Sequence, residues 1–126
     1  MKKFQGLSDS ENEIMHVIWE SNNPVTTAQL LTIFEDKKWK SQTISTFLKR
    51  MVDKGLLNQT TKGRTNFYTA VLTEQEYRHL EAKDLIDSMY NGSLCTFLAT
   101  LYGEKSIKEE DLNELRQWFD EAMKND

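Results

Sequence analysis

Residues 39–56 constrain the fold of this chain more than any other stretch. They read Trp39-Lys40-Ser41-Gln42-Thr43-Ile44-Ser45-Thr46-Phe47-Leu48-Lys49-Arg50-Met51-Val52-Asp53-Lys54-Gly55-Leu56. Ile44, Phe47, Leu48, Met51 and Val52 recur at spacings of three and four, which predicts a helix with one apolar stripe. The rest of its surface carries short hydrogen-bonding side chains at the front (Ser41, Gln42, Thr43, Thr46) and cations behind (Lys49, Arg50, Lys54). Gly55 suits the left-handed residue that ends a helix. Such a helix can present base-reading groups in a DNA groove while gripping phosphates. A solvated helix face has the same pattern, so the neighbouring sequence decides.

Downstream, Leu56-Leu57-Asn58-Gln59-Thr60-Thr61 and Thr65-Asn66-Phe67-Tyr68-Thr69-Ala70-Val71 flank Lys62-Gly63-Arg64. Two β-prone runs around a short glycine-containing connection predict a hairpin with a basic tip. Upstream, Ser8-Asp9-Ser10-Glu11 has the form of a capping box before Ile14, Met15, Val17, Ile18 and Trp19. Asn22-Asn23-Pro24 breaks that helix, and Thr26-Thr27-Ala28-Gln29 opens another with Leu30, Leu31, Ile33 and Phe34. Three helices followed by a basic-tipped hairpin predict a winged helix-turn-helix.

Charge is distributed to match. The 126-residue chain has a net charge of -4, which alone argues against nucleic acid. Yet residues 37–64 hold eight cations (Lys37, Lys38, Lys40, Lys49, Arg50, Lys54, Lys62, Arg64) and one acid, Asp53, a net +7. From residue 73 onward, six cations face thirteen acids, a net -7. This asymmetry predicts a basic binding surface joined to a module with another task.

The second module, residues 73–126, reads as three helices after a winged-helix domain at 1–72. Thr73-Glu74-Gln75-Glu76 is a capping-box candidate for a helix with Tyr77, Leu80, Leu85 and Met89, ending near Asn91-Gly92. Ser93 starts a shorter helix with Leu94, Phe97, Leu98, Leu101 and Tyr102, stopped by Gly103. A cap from Ser106 to Glu109 precedes Leu112, Leu115, Trp118, Phe119 and Met123. A unit this small is marginal alone. Its apolar side chains (Tyr77, Leu80, Leu94, Phe97, Leu98, Leu101, Leu112, Leu115, Trp118, Phe119) predict an intertwined homodimer, which sets two recognition helices on two half-sites. Docking of the module on its own N-terminal domain is the alternative.

Catalytic and metal signatures are missing: there is no G-x-S-x-G, H-E-x-x-H, Walker A loop or G-x-G-x-x-G. His16 and His79 are far apart in sequence, and Cys95 reads as a small packed residue. No enzyme activity, metal or cofactor is expected. A single cysteine suits a reducing compartment, and no apolar run approaches the roughly 18 residues of a membrane span, so the cytoplasm is the expected location.

The ordered series Leu7-Ser8-x-x-Glu11-x-Glu13-Ile14-Met15-x-x-Ile18-Trp19, then Trp39-x-x-x-Thr43-Ile44-x-Thr46-x-Leu48-x-Arg50-x-Val52-x-Lys54-Gly55, then Gly63-Arg64-x-x-x-Tyr68, resembles the penicillinase-repressor family of the BlaI, MecI and CopY type. Glu76-Tyr77 and Tyr90-Asn91-Gly92-Ser93-Leu94 extend the resemblance over essentially the whole chain. It implies a homodimeric bacterial repressor acting on resistance or metal-homeostasis promoters. It also implies a regulatory protease or a co-regulator as a further partner. The family often has Ser-Pro-Lys where this chain has Lys40-Ser41-Gln42, and Lys in place of Ser45, which bears on base preference and phosphate grip. Its β-lactam-responsive members are cut at an Asn-Phe bond whose equivalent here is Thr100-Leu101, and the paired C-x-C motifs of its copper-responsive members are absent.

On this reading Ser41, Gln42, Thr43 and Thr46 meet base edges, with Gln42 suited to adenine. Lys40, Lys49, Arg50 and Lys54 meet phosphates, Arg50 also being placed to turn inward toward an acid. Lys62 and Arg64 grip the backbone from the wing. Thr26 offers a further phosphate contact, and plain helix capping is the alternative for Thr26 and Ser41. Two rival readings stay open: an interaction module for an acidic protein, and a metal sensor using His16 or Cys95 with carboxylates.

Overall fold

The computed structural model describes residues 4–103 and 107–124, which form two compact units, Met1–Glu81 and Ala82–Asp126. The N-terminal unit begins with α1 (Asp9–Glu20). Ser8 caps it: its Oγ accepts the Glu11 N–H at 3.3 Å, and Glu11 Oε1 accepts the Ser8 N–H at 2.8 Å. After Pro24 come β1 (Val25–Thr26) and α2 (Thr27–Ile33), the latter opened by the Thr26–Gln29 capping box. A 3₁₀ turn at Glu35–Lys37 and a left-handed Lys38 (φ 58°) lead into α3 (Ser41–Asp53).

The hairpin joins β2 (Leu57–Lys62) to β3 (Thr65–Ala70) in antiparallel register, from Leu57 opposite Ala70 to Lys62 opposite Thr65. Gly63 (φ 64°) takes the first place of the two-residue Gly63-Arg64 turn, which only a residue tolerant of positive φ does without strain. A third strand, β1, was not foreseen. Its two residues pair with Tyr68 and Phe67, so the sheet order is β1-β3-β2.

The core follows the helical periodicities. Ile14, Met15 and Ile18 of α1, Leu30 of α2, and Ile44, Leu48 and Met51 of α3 close on Val25, Leu56, Leu57 and Tyr68. The mainly α architecture with one small sheet is therefore as expected.

A further feature departs from expectation. The N-terminal unit takes in the start of α4 (Glu74–Met89), because Tyr77 belongs to its core. That ring is 0% exposed, sits 5.7 Å from Phe4 and 5.6 Å from Trp19 between centroids, and its hydroxyl accepts the Leu7 N–H at 2.8 Å. Trp19 Nε1 donates to Leu72 O at 2.9 Å on the same seam.

The C-terminal unit holds the rest of α4, then α5 (Leu94–Gly103) and α6 (Glu109–Lys124). Left-handed Asn91 (φ 51°) and Gly92 (φ 77°) turn the chain after α4, and Ser93 Oγ accepts the Thr96 N–H at 3.1 Å to open α5. The cap expected at Ser106 lies outside the described residues. No described residue of this unit is buried, while Leu85, Met89, Leu94, Tyr102, Leu115, Trp118, Phe119 and Met123 are exposed. No helix among the described residues is long and apolar enough to cross a membrane.

Tyr77 sets the expected size of a stable N-terminal fragment. Deleting a buried aromatic ring costs about 3–5 kcal/mol. A fragment of residues 1–72 should therefore unfold at markedly lower urea concentration than one of residues 1–81. Coincident midpoints would show that the ring is dispensable.

Candidate nucleic-acid interface

Burial of Ile44, Leu48 and Met51 fixes the rotation of α3 and so decides what it exposes. Ser41, Gln42, Ser45, Thr46, Lys49 and Arg50 form one exposed stripe along its length, which ends at the exposed Asp53. Ser45 was not among the sequence candidates. Its spacing of four from Ser41 places it on the same face and was the available signal. Thr43 is half-buried beside the stripe rather than on it.

Each polar group on the stripe has a distinct capacity. Gln42 has no side-chain hydrogen bond among the described residues, so its amide can both donate and accept. Thr46 Oγ1 donates to Gln42 O at 2.9 Å. Its proton is thus committed, which leaves the hydroxyl oxygen of this exposed residue to act as an acceptor. Lys40 is the N-cap residue of α3 and supplies no side-chain cap, and Ser41 is the first helical residue, not the cap. Thr26 is a cap: its Oγ1 accepts the Gln29 N–H at 3.2 Å while Gln29 Oε1 accepts the Thr26 N–H at 2.9 Å.

The turn before α3 is braced by aromatics. Trp39 lies 5.2 Å from Phe34 and 5.3 Å, edge-on, from Phe47 between ring centroids. Lys37 pairs with Glu13 at 3.1 Å across this turn.

Lys54 is the principal correction. Expected at the phosphates, it turns into the protein, its Nζ 2.6 Å from Glu11 Oε1 and 2.9 Å from Gly6 O. The buried Glu11 carboxylate needs a cation, and Lys54 at the end of α3 is the one in reach. Arg50, which had seemed placed to turn inward, stays exposed with no carboxylate partner among the described residues. With Lys37 and Lys54 committed, six of the eight cations in residues 37–64 are exposed and in no ion pair with a described residue: Lys38, Lys40, Lys49, Arg50, Lys62 and Arg64. Lys62 also reaches over the Phe67 ring, 6.0 Å from its centroid.

Of the side chains expected at a dimer contact, Tyr77 lies in the N-terminal core instead. Leu80, Leu94, Leu115, Trp118 and Phe119 are exposed, and Phe97, Leu98, Leu101 and Leu112 are half-buried. Phe97 packs edge-on against Tyr90 at 5.2 Å. Cys95 is exposed, not packed as its apolar surroundings in sequence suggested.

Fold and surface together define a winged helix-turn-helix protein. A family model described as penicillinase repressor matches residues 7–121, and the chain belongs to the penicillinase-repressor family, a family of transcriptional repressors. A penicillinase repressor of Bacillus licheniformis is 31% identical over 121 residues, covering 96% of this chain and 94% of that protein. The methicillin resistance regulatory protein MecI of Staphylococcus aureus is 23% identical over 119 residues, covering 90% and 93%. The solution structure of the DNA-binding domain of the repressor BlaI is similar with a TM-score of 0.52 at 36% identity, covering 61% of this chain and 94% of that one.

Burial pushes the Glu11 carboxyl up, but hydrogen bonds from Lys54 and Ser8 and the Lys54 charge outweigh it and hold the group below its ordinary value. A depressed folded pKa contributes stability above the unfolded value, about 4.3, that is lost as pH falls through the folded value. Glu76, lowered by the Thr73 N–H, acts in the same direction. Melting temperatures taken from about pH 5 down to about pH 3 should fall more steeply for the wild type than for Glu11→Gln. Parallel acid limbs would remove the linkage from Glu11.

Proposed function

We propose that this chain is a homodimeric repressor that binds a pseudo-palindromic operator in double-stranded DNA, with α3 in the major groove and the β2–β3 hairpin along the backbone. The observation that carries this reading is the single exposed stripe of α3, with short polar groups in front, cations behind, and cations free of ion pairs at the hairpin tip. Gln42 suits a bidentate contact to adenine, and the Thr46 methyl suits the thymine methyl. Ser41 and Ser45 add short donors, and Thr43 supports them from the edge. Lys40, Lys49 and Arg50 grip phosphates beside the groove, Lys62 and Arg64 from the wing.

The N-terminal unit is the reading head and the C-terminal unit the dimerisation module. A helical unit with no buried described residue and this many exposed large apolar side chains is completed by a second copy. Similarity to a penicillinase repressor and to a methicillin resistance regulatory protein supports control of a resistance operon, a metal or stress response being the wider class. Release follows loss of dimerisation, through a regulatory protease or a co-regulator. The Thr100–Leu101 bond lies inside α5, so a protease would act on a locally opened helix.

Titration of affinity against salt tests the surface. If the dimer neutralises about eight phosphates, log affinity should fall with log salt at a slope of about -7. A slope shallower than about -3 would favour an acidic protein as the partner instead. Arg64→Ala should weaken binding on all sequences alike, whereas Gln42→Ala should relax preference at particular positions by about 1–3 kcal/mol. The reverse pattern would exchange the roles of wing and helix. A chain ending at Gly92 should bind operator at least about tenfold more weakly, about 1.4 kcal/mol, because half-sites no longer share one dimer. Equal affinity, or a full-length monomer at micromolar concentration, would overturn the dimer.

A further inference from the structure

Residues 6–8 make three consecutive links to three different parts of the N-terminal unit. Gly6 O accepts the Lys54 ammonium at 2.9 Å, at the end of α3. The Leu7 N–H donates to Tyr77 Oη at 2.8 Å, on α4. The Ser8 N–H donates to Glu11 Oε1 at 2.8 Å, on α1, and that same oxygen holds Lys54 at 2.6 Å. We propose that Glu11 and Tyr77 are positioning residues for DNA recognition, holding Lys54 and residues 6–8 in a clasp that fixes the tilt of α3. Base selection then depends on two groups that never meet DNA. The inference rests on the DNA-binding reading above.

Two physical arguments support it. A buried ion pair is weak as a source of stability, since well-packed apolar residues do as well, but it is geometrically demanding. Here Glu11 is 1% exposed, and its charge is matched by a cation from 43 positions away. The second argument is leverage. A helix of 13 residues is about 20 Å long, so a tilt of about 5° about its pinned C-terminal end moves its first turn by nearly 2 Å. A hydrogen bond to a base edge tolerates a spread of only about half an ångström. Phosphate contacts by long, flexible lysines absorb such a shift, and reading by Ser41 and Gln42 does not. Tyr77 extends the clasp to α4, which continues as one helix to Met89.

The test uses the full chain and a randomised duplex pool. Duplexes selected from that pool by the wild type, and the unselected pool itself, are titrated with each protein well below its melting temperature. Glu11→Gln and Tyr77→Phe should bind the unselected pool within about twofold of the wild type but lose about tenfold on the selected duplex. Lys54→Met should match the Glu11→Gln loss, the double variant should lose no more than either single one, and the salt slope should not change.

The clasp is overturned if Glu11→Gln leaves both affinities equal or tighter while Lys54→Met lowers both and makes the slope shallower by about one per protomer. That outcome would return Lys54 to the phosphates. Equal losses on pool and selected duplex would also overturn it, since a merely structural role lowers both alike. Should Glu11→Gln not fold, Tyr77→Phe carries the same comparison, because it removes only the acceptor of one N–H. A wild type that selects no sequence removes the DNA-binding reading itself. One that selects, beside variants that keep its discrimination, removes the clasp alone.

Discussion

Burial of Ile44, Leu48 and Met51 against α1 and α2 is the contact on which the rest of the N-terminal unit depends. A helix is rigid about its axis, so fixing which three side chains face inward also fixes which seven face outward. The polar stripe is thus a by-product of packing as much as of polar patterning. The same contact sets the start of the hairpin, because Leu56 and Leu57 follow directly from the end of α3 into the core.

Charge is arranged around that packing with some economy. Two of the eight cations in residues 37–64 pair within the protein, Lys37 with Glu13 at the surface and Lys54 with the buried Glu11, and both brace an end of α3. The remaining cations are left to solvent or to a polyanion. The acidic balance of the whole chain obscures this, since its excess of acids lies largely beyond residue 73. Net charge describes the solution behaviour of the chain, whereas local charge describes the partner of one face.

Much of the fold was legible because its signals are local. The capping boxes at Ser8 and Thr26, the stripe of α3 and the glycine of the hairpin each involve residues within a few positions of one another. What was missed is non-local. Strand β1 exists only because Tyr68 and Phe67 offer an edge to two residues after Pro24. Tyr77 shares the periodicity of its helix, and periodicity names a face without naming the neighbour that covers it. Lys54 looked like its cationic neighbours until Glu11, far away in sequence, supplied a partner. Ser45, by contrast, was within reach of local reasoning, since it stands four positions from both Ser41 and Lys49.

The three tryptophans occupy three different environments, and this gives the chain a built-in set of optical reporters. Trp19, hydrogen-bonded to Leu72 O and beside Tyr77, senses whether the start of α4 is seated. Trp39, half-buried between Phe34 and Phe47 at the entry to α3, stands next to the basic surface. Trp118, 62% exposed on α6, emits from a wet environment in an isolated chain and shifts to shorter wavelength once something apolar covers it. With two of the three replaced by phenylalanine in turn, fluorescence would follow seating, reading and assembly as separate events within one molecule.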